Sequence, residues 1–228
     1  PMSFLNHPQS QQGQANQASA ADPVDTARGE FLHVETDLHI PGRGMDLVIQ
    51  RHYRSRDARD GVVGPNWSMP MLETHILVWA RHGNQRVLEL SWGDGNRSFF
   101  QQVVTGDPNE LLWEGMNGEF GKIRMGAIST CSSTATPDVW LSGMGMVLRL
   151  PDATEYWFCP PTLHPGAPGC GVSYLNRIVD RNGNAIRLRR NADGRVHEIV
   201  DTLGRSVSLE YDGPLRRLAR IFDWSGRK

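Results

Sequence analysis

Asp180, Asp201 and Asp223 stand 21 and 22 residues apart, and Gly183, Gly204 and Gly226 each follow an Asp by three. Leu175, Val196 and Leu218 precede them at the same spacings, as do Ile178, Ile199 and Ile221. After the first two turns, Ile186-x-Leu188 is matched by Val207-x-Leu209. The residue types follow from the geometry of a tight reversal. An Asp carboxylate accepts hydrogen bonds from turn amides, and Gly takes the position with φ > 0. Each copy reads as strand, Asp-x-x-Gly turn, strand and second turn, the last being Asn191-Ala192-Asp193-Gly194 and then Tyr211-Asp212-Gly213. One hairpin cannot bury its own apolar face, so the copies must stack. The chain ends inside the third copy, which leaves Leu218, Ile221 and Trp224 at an outer edge where a further strand can add.

The rest of the chain points the same way. Gly and Pro number 24 and 14, a load of turn formers that favours many short strands. FLHVETDLHI (31–40), the turn PGRG and MDLVIQRHY (45–53) read as a hairpin, and further strands are expected at 71–80, 86–92, 97–104, 111–114, 120–125, 139–142, 146–150 and 154–158. No stretch of helical length carries an apolar face. The fold class is therefore all-β, made of antiparallel hairpins with the start of a repeat sheet at the C-terminal end. Residues 1–21, rich in Gln, read as a flexible tail, 126–138 as a polar loop, and 159–170 as a Pro/Gly-rich excursion.

Charge and chemistry exclude more than they suggest. The net charge is −1, but residues 174–228 carry 12 basic and 7 acidic side chains against 12 and 18 in the remainder. The C-terminal arginines alternate with acids at strand spacing, which disfavours nucleic acid as a partner. The sequence from Met2 has neither a basic n-region nor an apolar run, so no secretory signal or membrane span is expected, and the chain is made in the cytoplasm. Catalytic signals are weak. Cys131, beside Ser132 and Ser133, has no marked base. Cys159, His164 and Cys170 would offer zinc three ligands and lack a fourth. His33 with Glu35, and Asp37 with His39, would share a strand face at i, i+2. No catalytic residue, metal or cofactor is assigned.

Several motifs resemble the Rhs/YD-repeat proteins, polymorphic toxins of bacteria. Tyr211-Asp212-Gly213 keeps the tyrosine–aspartate signature, where the preceding copy has Arg190-Asn191. DPVDTARGEFLHVETDLHIPGRGMDLVIQRHYRSR (22–56) looks like the opening of the Rhs core. Gly64-Pro65-Asn66-Trp67-Ser68, Gly93-Asp94-Gly95-Asn96-Arg97 and Leu150-Pro151-Asp152-Ala153-Thr154-Glu155-Tyr156 resemble further elements of it, with Ala153 in place of the usual Gly.

The resemblance implies three segments: the tail 1–21, a capping region 22–173, and two and a half YD-type repeats in 174–228. It also implies a structural role, in which this segment starts and caps a β-shell enclosing a C-terminal toxin. The implied partners are the remainder of that shell, its toxin and, through residues 1–21, components of a type VI secretion spike; export would proceed without a signal peptide. The end at Lys228 is read either as a processing junction, with the pieces held together non-covalently as a folding chaperone, or as a designed truncation. Two other classes stay open. One is an enzyme segment that cuts its own chain or hydrolyses a polymer. The other is a glycan- or nucleic-acid-binding β module, which predicts an aromatic strip on one face.

Overall fold

A computed structural model of the chain describes residues 24–25, 29–82, 85–107, 110–116, 118–127, 144–159, 162–163, 171–191, 193–213 and 216–228. Most of them are strand, paired antiparallel throughout, so the all-β expectation holds. The first hairpin joins β2 (Glu30–Ile40) to β3 (Leu47–Arg54). With β1 (Val24–Asp25) and β6 (Trp67–Ser68) they form a four-stranded sheet in the order β1-β2-β3-β6. A miniature hairpin of β4 (Asp60–Gly61) and β5 (Gly64–Pro65) lies between them in sequence. The Gly-Pro-Asn-Trp-Ser motif closes this region through Asn66. Its φ of 63° turns the chain, and its side-chain amide donates to the carbonyls of Arg54, Ser55 and Asp57.

The strand expected over 71–80 opens differently. Pro70 lacks an N–H and cannot join a ladder, and Pro70, Met71 and Leu72 are consecutively buried rather than alternating. They form one helical turn, α1 (Pro70–Glu73), which ends where Thr74 returns its N–H and hydroxyl to the Pro70 carbonyl. Only from His75 does the chain extend, as β7 (His75–His82). There follow β8 (Gln85–Ser91), β9 (Arg97–Val103), β10 (Leu111–Gly115), β11 (Lys122–Ala127), β12 (Met144–Arg149) and β13 (Glu155–Phe158). The strand expected at 139–142 and most of the loop expected at 126–138 lie outside the described residues.

The long strand β15 (Gly171–Val179) organises the molecule, with the short β14 (Thr162–Leu163) beside its start. Residues 171–174 of β15 pair with residues 75–78 of β7. Its residues 175–179 pair with β13. The meander β7 to β13 therefore returns to its start through β15 and closes an eight-stranded barrel. A barrel of this size is just wide enough to be filled by side chains, and Leu88, Phe100, Trp113, Ile123, Met146, Leu148 and Phe158 are all at most 1% exposed.

Beyond the barrel, residues 177–179 of β15 pair on their other edge with β16 (Ala185–Arg190). From there β17 (Val196–Val200), β18 (Ser206–Tyr211) and β19 (Leu218–Phe222) extend the sheet as a wing. One continuous core links the barrel, the wing and the inner face of the first hairpin. At the turn 151–154, Ala153 sits at φ 66°, a left-handed position that costs a non-glycine residue about 1 kcal/mol; its N–H donates to the Leu150 carbonyl at 3.0 Å.

Candidate assembly interface

The three Asp turns have one geometry. In each, the Asp N–H donates to the carbonyl four residues on, and the Gly N–H donates back to the Asp carbonyl, at 3.0–3.1 Å. Each Asp Oδ1 accepts two turn amides, those of Asn182 and Asn184, of Leu203 and Arg205, and of Ser225 and Arg227. Gly183, Gly204 and Gly226 take φ of 85°, 83° and 80°. The residue four after each Asp closes the carboxylate: Asn184 through its amide, Arg205 and Arg227 through Nε. Burial opposes the charge of Asp180, but the bonds from Asn184 and Asn182 outweigh it and hold its pKa below the ordinary value. The Ser225 hydroxyl, then Arg227 and the turn amides, pull Asp223 down to about 2.

The first two turns do more than reverse the chain, because the tip of the first hairpin rests on them. Arg43 N–H donates to the Thr202 hydroxyl at 2.7 Å. The guanidinium of Arg205, already on Asp201, also donates to the Pro41 carbonyl. A Cβ on Gly44 would overlap the Asp180 carboxylate. Gly44 has φ 75°, so both space and backbone require glycine there.

The third copy differs in its surroundings. Ile178 and Ile199 are 4% and 0% exposed, and Leu175 and Val196 are 0% and 1% exposed. Their counterparts Ile221 and Leu218 are only partly buried, and Trp224 is 46% exposed with the Arg205 guanidinium over its ring. Among the described residues β19 pairs with β18 and with no strand on its other side. Beside it opens a groove of about 660 Å³, floored by Leu38, Val63, Met69, Leu218 and Ile221. Asp37, Arg51, Arg220 and Arg227 stand at its rim, with Lys228.

One end of the edge is guarded. Leu218 N–H donates to the Val62 carbonyl at 2.7 Å, and Arg217 pairs with Asp60 at 2.9 Å. Val62 N–H in turn donates to the Glu73 carboxylate. Burial pushes Glu73 up to about 7, against the amides of Val62 and Met69 and the charge of Arg59; Asp57 adds to the rise. A raised carboxyl favours the neutral form in the folded state. Stability from Glu73 is therefore complete below about 4.5 and is lost as pH rises through 7. Charging it costs about 3 kcal/mol. Melting curves of Glu73→Gln are expected to lose most of the decline that the unsubstituted chain shows between roughly pH 5 and 8. Equal declines in both chains would assign the pH dependence to other groups.

Of the pairs expected on β2, His33 and Glu35 do meet, at 3.2 Å. Asp37 and His39 do not. A bulge between Thr36 and Leu38 shifts the register, so that Asp37 binds Arg51 and His39 binds Asp46. Cys131, His164 and Cys170 lie outside the described residues. Cys159 is partly buried, and among the described residues no three His, Cys, Asp or Glu side chains gather at one point. An aromatic strip is present on one face: Phe31, His33, Tyr53 and Trp67 form a chain of ring contacts, with Arg51 over the Trp67 ring at 5.2 Å.

Residues that the sequence did not single out include Arg190. It is half-buried, donates to the carbonyls of Leu72, Leu175 and Gly194, and lies 4.8 Å from the Tyr174 ring centre. Burial lowers its pKa to about 10, opposed by interactions with Tyr174 and Tyr211. This side chain joins α1 and the barrel strand β15 to the wing.

Among the described residues the large sheet therefore ends at β19, beside the groove. Residues 21–100 match a family described as a domain of unknown function, DUF6531. Over 91 residues the chain is 32% identical to a protein named probable deoxyribonuclease RhsB from Dickeya dadantii (strain 3937). That match covers 40% of this chain and 6% of the relative, so the chain spans a small part of the relative's length. The chain is related to the Rhs proteins.

Proposed function

We propose that this chain is the structural segment that starts and caps an Rhs-type β-shell, and that β19 is where the next part of the wall adds. The observation that carries this reading is the burial of equivalent repeat positions. Ile178 and Ile199 are closed off by a following hairpin, and Ile221 is the same position without one. Covering Leu218 and Ile221 fully would stabilise the assembly by about 2 kcal/mol in apolar area, before the backbone bonds of a new strand are counted. Any toxic activity, including the nuclease activity in the relative's name, belongs on this reading to another part of the protein. The barrel and first hairpin form the rigid base, and the Gln-rich residues 1–21 are assigned to the delivery machinery.

The test is assembly in two pieces. Residues 1–228 and the downstream product of the natural gene, expressed together as separate chains, are expected to co-elute as one complex. Substituting Ile221→Asp is expected to reduce recovery of that complex tenfold or more, while residues 1–228 alone keep their fold. Independent elution of the two unsubstituted pieces would refute the proposal.

A further inference from the structure

The face of the first sheet that packs on the wing continues past the end of the wing. On β3, Leu47, Ile49, Arg51 and Tyr53 point to one side, because side chains alternate along a strand. Leu47 and Ile49 are 0% exposed in the core. Tyr53 lies directly opposite Trp67 on β6 and opposite His33 on β2. Phe31, two residues before His33, is on the same side, 6.0 Å from the Tyr53 ring and 39% exposed. Arg51 stands where the change occurs: it lines the groove together with Leu218 and Ile221, and covers Trp67. The aromatic strip is thus the core-facing side of this sheet, left uncovered where β19 ends the wing.

We propose that Phe31, His33, Tyr53 and Trp67 form the roof over the next β-hairpin of the wall, which turns the apolar side of an alternating sequence towards them. This deepens the reading of β19 as an assembly edge and rests on it. Two added strands advance a sheet by about 10 Å, and Arg51 links the groove, where they would start, to the Trp67 ring. Local charge favours this occupant over a nucleic acid. Arg51 is paired with Asp37 at 2.8 Å, so the guanidinium at the strip already has its counter-charge, and the His33 ring is hydrogen-bonded to Glu35 at 3.2 Å. The rings also hold one another, Tyr53 and Trp67 with centroids 5.2 Å apart, so a covering strand meets an ordered apolar surface.

Hydroxyl-radical footprinting read by mass spectrometry tests this residue by residue, on residues 1–228 and on the full natural chain. Oxidation of Phe31, Tyr53 and Trp67 is expected to fall at least fivefold in the full chain. Phe120, which is 66% exposed on the barrel, serves as the unchanged reference. Amide protection of β19 without protection of the rings would overturn the roof and leave the edge reading standing. Protection of neither would overturn both. Ring protection of residues 1–228 by a neutral hexasaccharide, with none in the full chain, would instead make the strip a glycan platform and overturn the proposal.

Discussion

Replacing Arg190 by alanine is expected to destabilise the chain by about 3 kcal/mol, although the charge it removes is itself unfavourable. Lowering a guanidinium to about 10 means that burial penalises the cation, and removing it relieves about 3 kcal/mol. Three losses act the other way. The carbonyls of Leu72 and Leu175 lose their donor, at about 1–3 kcal/mol each. The contact with Tyr174 goes, worth up to about 2 kcal/mol when desolvated. A cavity opens where a long side chain lay, costing about 2–3 kcal/mol. The losses exceed the gain. Arg190→Met separates them, since it refills the volume and restores no donor; about half of the loss should remain. Chemical denaturation measures both. An alanine variant as stable as the parent would show that the barrel and wing do not depend on this link.

Asp201→Ala is expected to cost about 3 kcal/mol, and Asp223→Ala less, although both carboxylates accept two turn amides and an arginine Nε. Asp201 is 1% exposed and accepts the amides of Leu203 and Arg205 and the Nε of Arg205. Removing it leaves buried donors unpaired. It also frees the Arg205 guanidinium that holds Pro41, loosening the hairpin tip on the wing. Asp223 is 8% exposed and makes the same bonds and one more, from the Ser225 hydroxyl. Its arginine, Arg227, donates to no carbonyl among the described residues of the first hairpin, as Arg205 does to Pro41. Equal losses at the two positions would mean that turn chemistry alone sets the effect and that docking of the first hairpin adds nothing.

Local features of this fold were legible because their causes are local. The Asp-x-x-Gly turns follow from a carboxylate, a positive φ and a fixed period, and most strand limits fall within a few residues of those expected from alternation. Closure of the barrel was not legible. It depends on residues 155–158 and 75–78 meeting different halves of β15, pairings that no short window records. The helical turn at Pro70 was hidden in an apolar run, where a short buried helix and a strand look alike. Arg190 reads as one of several alternating arginines on β16; only the bulge between Arg189 and Arg190 and the packing of α1 take it inside. The aromatic strip joins residues of three strands, and its position on the core side follows from pairing register.

Backbone hydrogen exchange of Leu218–Phe222, compared between residues 1–228 and the full natural chain, tests most directly whether β19 is the growing edge of a wall. Amides of β19 are expected to exchange at least a hundredfold more slowly in the full chain, with those of β16 and β17 little changed. Identical exchange in the two proteins, or a natural gene that encodes nothing beyond Lys228, would contradict it.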